Sequence, residues 1–327
     1  MYKSYSKLAT MIYGLLVNCN KQTIFGRIIR NLLQRLRMIM ITYNDPKCIM
    51  DVHGKLLAMP LSHSLPLFVA ENPYYDSIIE RISSYIRATY GTLNYIDIGA
   101  NIGDTILFTN PQSNDRFLAI EASKTYYEYL LVNTKLLHNI NTINSICSSS
   151  DSEVSINIHH SGGTARILHT NGIVSYQHSL DTIVNDLLFV NVNLIKIDTD
   201  GYDLEIIKGA INTITNMKPT ILFECDDFGD ERFIDNLIEV FDILKIAGYK
   251  NALLYDNRGY LYSQINFCNP ESYKYSIIHK LLTNCYYFDV LTMPPLQLSQ
   301  FVTMENDLFC SHIPKIMNIN KLGFDTI

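Results

Sequence analysis

The chain has 327 residues, of which 47% are hydrophobic and 18% are charged, and its net charge is −6. This composition supports a large apolar core, excludes wholesale disorder and, through its acidic balance, argues against general nucleic-acid binding. The seven cysteines are widely spaced and include no C-x-x-C pair, so we expect reduced thiols and neither a disulfide framework nor a metal site.

The first 44 residues form a basic segment. They contain seven Lys or Arg and no Asp or Glu, whereas the rest of the chain has 19 basic against 32 acidic side chains. Over residues 23–41, apolar side chains recur at helical spacing opposite an arginine-bearing face, which predicts a basic amphipathic helix. Such a helix either lies on an anionic membrane or packs on the domain with a solvated basic face, and the pattern leaves both open.

No apolar run reaches the length that a membrane-spanning helix needs, which is about 18 residues. We therefore expect a cytoplasmic protein, either free or held peripherally at the membrane through residues 1–44. After that segment, residues 45–90 predict lead-in strands and a helix over 75–90.

From residue 91 to 265, apolar strands alternate with helical patterns, which is typical of an α/β domain with a doubly wound, mostly parallel sheet covered on both faces. Residues 266–327 form a C-terminal extension to which the pattern assigns no structure. The predicted strands are 93–98, 116–121, 142–147, 154–159, 191–198, 220–225, 251–255 and 260–265. The predicted helices are 103–110, 123–138, 202–216 and 230–247.

A glycine turn follows the first strand of this domain. Asp97 lies near the end of the strand, Gly99, Asn101 and Gly103 form the turn, and Glu121 ends the next apolar run. Glycines between a strand and a helix let a ligand approach bare backbone, and an acidic residue about 20 positions further on suits the hydroxyls of a ribose. The turn therefore predicts a site for a nucleoside-containing cofactor.

The side chains at this turn favour one such cofactor. A dinucleotide turn reads G-x-G-x-x-G, and here its central glycine is replaced by Asn101, which would obstruct a pyrophosphate. An acidic strand end disfavours phosphate and suits the sulfonium and ammonium of S-adenosylmethionine. We therefore predict that cofactor. Its predicted binding residues are Asp97, Gly99, Asn101, Gly103, Glu121 and Ser148. An NAD-dependent oxidoreductase and a non-catalytic, membrane-associated scaffold are the alternatives.

A second acidic turn follows the strand predicted at 191–198. Ligands of doubly wound sheets bind beyond the carboxyl ends of the strands, so Asp198 faces the same crevice as Asp97 if their strands are neighbours. Asp198 is our candidate for the general base, with His169 and His63 as the next candidates. Asp200 and Asp203 occupy positions that are typical of turns or helix caps. The glycine-containing loop 161–164 is either a plain surface loop or a segment that closes over the acceptor substrate.

The order of these motifs resembles the FkbM-type S-adenosylmethionine-dependent methyltransferases. The resemblance covers about residues 50–255 and departs at Asp200, where the family usually has Glu. It implies a seven-stranded methyltransferase sheet and usually O-methylation of a sugar, glycan, polyketide or other small-molecule hydroxyl. The motifs that carry it are His63–Pro66, Pro73–Asp76, Asp97–Asp104 with Glu121, Ser179–Thr182, Ile195–Asp198 through Ala210, and Lys218–Glu224.

Overall fold

The structure is a computed structural model that describes residues 5–169, 172–283 and 287–313. The chain starts with a pair of helices, a β-hairpin and two further helices. Thr23 caps the second helix, because its hydroxyl accepts the amide N–H of Gly26 at 3.0 Å. These elements are α1 (Lys7–Val17), α2 (Ile24–Asn44), β1 (Lys47–Val52), β2 (Lys55–Pro60), α3 (Leu65–Glu71) and α4 (Ile78–Tyr90).

The α/β part of the chain follows. Its first half comprises β3 (Asn94–Ile98), α5 (Asp104–Phe108), β4 (Arg116–Ile120), α6 (Lys124–Asn133), β5 (Ile140–Ile143), β6 (Ile146–Ser148), β7 (Ser152–Ser161), β8 (Thr164–His169) and β9 (Ile173–Ser179). Its second half comprises α7 (Leu180–Asp186), β10 (Leu194–Ile197), α8 (Asp203–Lys208), α9 (Ile211–Met217), β11 (Thr220–Cys225) and α10 (Phe233–Ile246). The chain then forms β12 (Asn251–Asp256), β13 (Leu261–Asn266), a 3₁₀ turn (Pro270–Ser272), α11 (Lys274–Thr283), β14 (Phe288–Thr292) and α12 (Pro295–Ser311).

The main sheet has the strand order β13-β12-β14-β11-β10-β3-β4-β5. The five strands from β11 to β5 are parallel to their neighbours, and β14, β12 and β13 pair antiparallel at the other side. This order confirms the predicted α/β class with a doubly wound, mostly parallel sheet. The sheet has eight strands in the described residues, one more than the resemblance implies. The predicted strand at 260–265 is β13, which pairs with β12 as a hairpin at the edge, and β14 is the strand that was not predicted.

Two apolar clusters cover the two faces of this sheet. Tyr95 of β3 belongs to the cluster that includes α1, α4 and α6, whereas Ile96 and Ile98 belong to the cluster that includes α8 and α10. All five residues of β3 are buried. Because both faces of β3 are covered, apolar side chains occur on both faces, and its polar residues Asn94 and Asp97 are buried as well.

Two predicted elements are divided in the structure. The strand predicted at 142–147 becomes β5 and β6, because the Asn144 side chain donates to the carbonyls of Glu121 and Ala122 at 2.8 and 3.0 Å. After this break, β6 joins a second sheet of order β6-β9-β7-β8. The helix predicted at 202–216 breaks at Gly209, where a Cβ atom would lie 2.2 Å from the carbonyl oxygen of Ser148.

Part of the predicted C-terminal extension, the strand β14, is integral to the sheet, although the sequence pattern assigned no structure there. β14 lies between β11 and β12, so it occupies an interior position. Helix α12 is tied to α4, because the buried carboxylate of Glu305 accepts hydrogen bonds from Arg81 at 2.6 and 3.0 Å and from the Tyr255 hydroxyl at 2.9 Å.

Helix α2 exists as predicted, and two of its arginines, Arg30 and Arg37, face the protein. The Arg37 side chain is buried and donates to the carbonyls of Leu61 and Ser62 at 3.0 Å, and Arg30 pairs with Glu71 at 2.9 Å. A helix packed with a fully solvated basic face does not describe Arg30 and Arg37, although Leu33, Met40 and Ile41 of α2 do pack against the core. Other large apolar side chains of α2 are exposed, namely Ile24, Phe25, Ile28, Leu32, Leu36, Met38, Ile39 and Tyr43. Within the described ranges, no helix combines the length and apolar character that crossing a membrane requires.

Candidate functional site

A crevice opens at the carboxyl ends of β3, β4, β10 and β11. Gly99 has φ of 78°, and a Cβ atom there would lie 1.8 Å from the carbonyl oxygen of Asp198. The amide N–H of Asp198 in turn donates to the Ile98 carbonyl at 3.0 Å. Only glycine permits so close a contact. The glycine turn after β3 and the acidic turn after β10 therefore lie against each other and form one wall of the crevice.

Glu121 holds the glycine turn in place. Its carboxylate accepts the amide N–H of Asn101 at 2.8 Å and that of Ser123 at 2.7 Å. These two hydrogen bonds act to lower the pKa of Glu121, but burial outweighs them and raises it to about 7. Glu121 lines the same cavity as Gly99, Asn101 and Asp198, and the rest of the lining is largely apolar. That apolar lining includes Ile98, Ile120, Ala122, Ala165, Ile167 and Tyr202.

Three predicted cofactor residues lie elsewhere. Asp97 is 0% exposed and accepts a hydrogen bond from the Thr105 hydroxyl, so it lies beneath the crevice-lining residues Thr105 and Lys196 and does not itself line the crevice. Gly103 begins α5 with φ of 82°, and a Cβ atom there would lie 2.8 Å from Leu130. Ser148 ends β6 and lines a neighbouring groove.

His63 joins the lead-in segment to the glycine turn. Its Nδ1 accepts the Leu65 amide N–H at 3.3 Å, which leaves Nε2 to donate to the Asn101 side-chain oxygen at 3.3 Å. The Asn101 amide group then donates to the Gly163 carbonyl, at the tip of the β7–β8 hairpin, at 2.7 Å. Burial lowers the pKa of His63 to about 4, so the ring is neutral near pH 7. His169 ends β8, and its side chain lies outside the described part.

Asp198 lies at the mouth of the crevice beside a buried lysine. Its side chain is 47% exposed and pairs with the ammonium of Lys196 at 2.7 Å. Burial by itself lowers the pKa of Lys196, but the carboxylates of Asp198, Asp97 and Asp76 raise it overall, so the lysine is charged. Lys196 therefore orients the Asp198 carboxylate and neutralises part of the charge around it.

Four further acidic residues line the crevice beyond Asp198 and Asp200, and no role was predicted for them. Asp76 and Glu224 occur inside motifs of the resemblance, Asp104 directly follows the glycine turn, and Asp289 lies in the tail. Burial raises the pKa of Asp104 to about 7 and of Asp289 to about 8. The motifs around Asp76, Asp104 and Glu224 could have indicated from the sequence that these residues line the site. No feature of the sequence near Asp289 indicates this.

These raised pKa values predict a fold that loses stability between pH 6.5 and 8. An acid whose folded pKa is raised binds more protons in the folded than in the unfolded state, so stability falls as pH rises toward the folded pKa. Asp104, Glu121 and Asp289 all titrate in this window, whereas His63 acts in the opposite direction only below pH 6.5. We expect a lower melting temperature at pH 8 than at pH 6.5 by differential scanning fluorimetry.

Asp104→Asn is the control for this pH dependence, because it removes one of the raised groups. The decrease in melting temperature between the two pH values should become smaller in this variant. A wild-type melting temperature that is constant or rises across the window would contradict the assignment.

Residues 97–251 match the family described as Methyltransferase FkbM domain. The predicted resemblance to this family is thus confirmed over those residues, which contain the glycine turn, Glu121 and Asp198. The predicted cofactor, S-adenosylmethionine, is confirmed with the family. Comparison with curated proteins finds no match to this chain.

Three solved structures that align with the chain are distant from it in sequence. The methyltransferase FkbM from Methylobacillus flagellatus KT aligns with 14% identity and a TM-score of 0.38, over 74% of this chain but only 54% of that one. The N-terminal domain of human METTL16 aligns with 12% identity and a TM-score of 0.40, over 90% of this chain and 98% of that one. TYW2 of M. jannaschii, solved in complex with AdoMet, aligns with 16% identity and a TM-score of 0.33, over 76% and 84%.

The crevice fits S-adenosylmethionine by the chemistry of its lining. The cavity around Glu121 joins apolar walls to a carboxylate, which suits an adenine ring with a ribose diol. Its open end carries Asp198 and Asp200, which suit a ligand with a sulfonium and an ammonium. The side chain of Asn101 is already held by His63 and Gly163, so the turn offers no open cradle for a pyrophosphate.

Proposed function

We propose that the protein is an S-adenosylmethionine-dependent O-methyltransferase whose acceptor is a hydroxyl of a sugar, glycan or other small molecule. The observation that supports this most is that Asp198, a half-exposed carboxylate, lies in one crevice with the glycine turn and Glu121. Methylation of a hydroxyl needs a proton acceptor within hydrogen-bond reach of the acceptor oxygen, and the half-exposed carboxylate of Asp198 lines the crevice where that oxygen would bind.

In this mechanism the protein mainly positions the acceptor. When bound, S-adenosylmethionine supplies an electrophilic methyl group on a positively charged sulfur. Asp198 takes the proton that the acceptor hydroxyl loses, and Lys196 orients that carboxylate through a hydrogen bond of 2.7 Å. Holding the acceptor oxygen in line contributes about 7–11 kcal/mol in well-oriented reactions. The hairpin tip at Gly162–Thr164 lines the same crevice and limits the access of water.

His63 is a weaker candidate for the base, because both of its ring nitrogens are engaged, by the Leu65 amide and by Asn101. A non-catalytic scaffold would have no use for a half-exposed Asp198 beside a buried Lys196. An NAD-dependent oxidoreductase is disfavoured because the Asn101 side chain occupies the turn.

Release of S-adenosylhomocysteine tests this function directly. The full chain is incubated with S-adenosylmethionine and a panel of sugars, glycans and lipid-linked acceptors, and the product and methylated acceptor are measured by mass spectrometry. Equal amounts of S-adenosylhomocysteine and O-methylated acceptor are the expected result. Product methylated on nitrogen or carbon, or tight NAD binding without S-adenosylhomocysteine binding, would reject O-methylation.

We further propose that α1 and α2 hold the enzyme on an anionic membrane, where a lipid-linked acceptor is available. The stripe on α2 is strongly exposed, with Phe25 at 72%, and α1 exposes its own stripe of Leu8, Met11 and Leu15. Exposed apolar surfaces of this extent mark interaction sites. Arg27 and Arg35 are exposed on the same helix, and the segment contains no acidic residue. An apolar stripe with basic flanks suits an anionic lipid surface.

Flotation with liposomes tests this attachment. The full chain should float with vesicles that contain phosphatidylserine, and Ile28→Glu with Leu32→Glu should abolish flotation because charges replace the inserted side chains. Salt should weaken binding, since each basic residue near the surface contributes about 1 kcal/mol. Leu136→Glu, at another strongly exposed leucine, is the matched control and should still float. Flotation of the double variant, or none of the wild type, would refute the attachment.

A further inference from the structure

One end of the crevice concentrates buried negative charge. Glu224 of β11 and Asp289 of β14 are register partners on adjacent antiparallel strands, so their side chains are neighbours on one face. Asp76, which precedes α4, lines the same end of the crevice. Two tyrosines, Tyr75 and Tyr287, complete this end, which we name the acidic end.

One carboxylate oxygen of Glu224 is buried at the acidic end without a hydrogen-bond partner among the described residues. The residue is 8% exposed, and its Oε2 has no hydrogen-bond partner within the described ranges. No lysine or arginine of the described chain forms an ion pair with Glu224, Asp289 or Asp76, and the nearby Lys196 pairs with Asp198. A buried carboxylate oxygen without a partner costs the desolvation free energy of the group, so a ligand that satisfies it gains that free energy.

The charges at the acidic end also oppose each other. Like charges directly opposite on neighbouring strands are destabilising, and a buried carboxylate without a counter-charge is more so. Burial, together with the neighbouring carboxylates, raises the pKa of Glu224 and Asp76 well above the usual range. Burial also raises the pKa of Asp289 to about 8, so this group holds a proton near pH 7 that an entering cation would displace.

The geometry points to a protonated amine as the group that this end receives, and we propose that the acceptor is a hydroxyl compound bearing an ammonium, such as an amino sugar. This inference rests on the proposed function. An organic cation suits the end better than a metal ion, because no three His, Cys, Asp or Glu among the described residues are placed to share a metal. The rings of Tyr75 and Tyr287 add cation–π attraction for an ammonium.

Matched probes test the inference. Glucosamine, N-acetylglucosamine and glucose are titrated by calorimetry into the full chain near pH 7, with and without S-adenosylhomocysteine. Glucosamine should bind at least about tenfold more tightly than the neutral probes, since one charge-assisted hydrogen bond accounts for that factor. Its binding should release protons, seen as a dependence of the heat on the buffer. Equal affinities, or no binding of glucosamine, would overturn the inference.

Substitutions show whether the ammonium group that binds at the acidic end belongs to the acceptor or to the cofactor. Glu224→Gln should reduce the preference for glucosamine to within about twofold and leave the affinity for S-adenosylhomocysteine unchanged. Loss of S-adenosylhomocysteine affinity would mean that the cofactor's own ammonium occupies this end and would overturn the acceptor assignment. Asp289→Asn serves as the second variant if the first does not fold. Glu271→Gln makes the same chemical change at an exposed residue and should keep the preference.

The failure of this inference is distinguishable from failure of the proposed function. A wild type that does not bind S-adenosylhomocysteine rejects the proposed function, and the titrations without cofactor still decide the amine preference. A wild type that binds S-adenosylhomocysteine but shows no amine preference rejects the inference alone.

Discussion

Replacing Asp198 by Asn is expected to lower turnover by about 10²–10⁴-fold while leaving the affinity for S-adenosylhomocysteine within about twofold. The amide keeps the shape of the side chain and can still accept a hydrogen bond from Lys196, now 2.7 Å from the carboxylate. It cannot accept the proton of the acceptor hydroxyl. The measurement is single-turnover product formation by mass spectrometry, beside calorimetry of S-adenosylhomocysteine.

The matched control is Asp186→Asn, which makes the same change at an exposed position on α7 and should leave both quantities unchanged. A loss of cofactor affinity as large as the loss of turnover would assign Asp198 to cofactor binding. Undiminished turnover would place the base elsewhere in the crevice. Either result would be inconsistent with the proposed role.

Replacing Glu121 by Ala is expected to weaken S-adenosylhomocysteine binding by more than tenfold. Each charge-assisted hydrogen bond to a ribose hydroxyl contributes about 1.5–3 kcal/mol, and 1.4 kcal/mol corresponds to a factor of ten in affinity. The substitution also frees the amide N–H groups of Asn101 and Ser123, which the carboxylate holds at 2.8 and 2.7 Å. Dissociation constants from calorimetry give the size of the effect.

A deoxy analogue separates the ribose contact from a general change in the turn. The wild type should bind the 2′-deoxy form of S-adenosylhomocysteine more weakly than the natural compound, and Glu121→Ala should bind the two alike. Glu128→Ala, at an exposed position of α6, is the control with the same chemical change. If the variant still discriminates between the two compounds, Glu121 does not contact the ribose.

The glycine turn could be predicted from the sequence because its requirements are local. Gly99 must be glycine, since its φ is positive and the Asp198 carbonyl leaves no room for a Cβ atom. The fold class was predictable for a similar reason, because strands buried on both faces produce apolar runs between amphipathic helices. Asp97 was harder, because a strand residue near a turn can line the crevice or be buried beneath it, and here Asp97 is fully buried and bonds to Thr105.

The sequence by itself determined the alternation of strands and helices, the glycine turn and the resemblance to the FkbM methyltransferase domain over residues 97–251, since each depends on side chains close together in the chain. Only the tertiary structure decided which face of α2 is buried, because Arg37 finds carbonyl partners in the loop after β2 and leaves the apolar stripe outside. Likewise, only the long-range pairing of β14 with β11 brings Asp289 beside Glu224. Contacts between residues 65 positions apart depend on strand pairing, which no local pattern specifies.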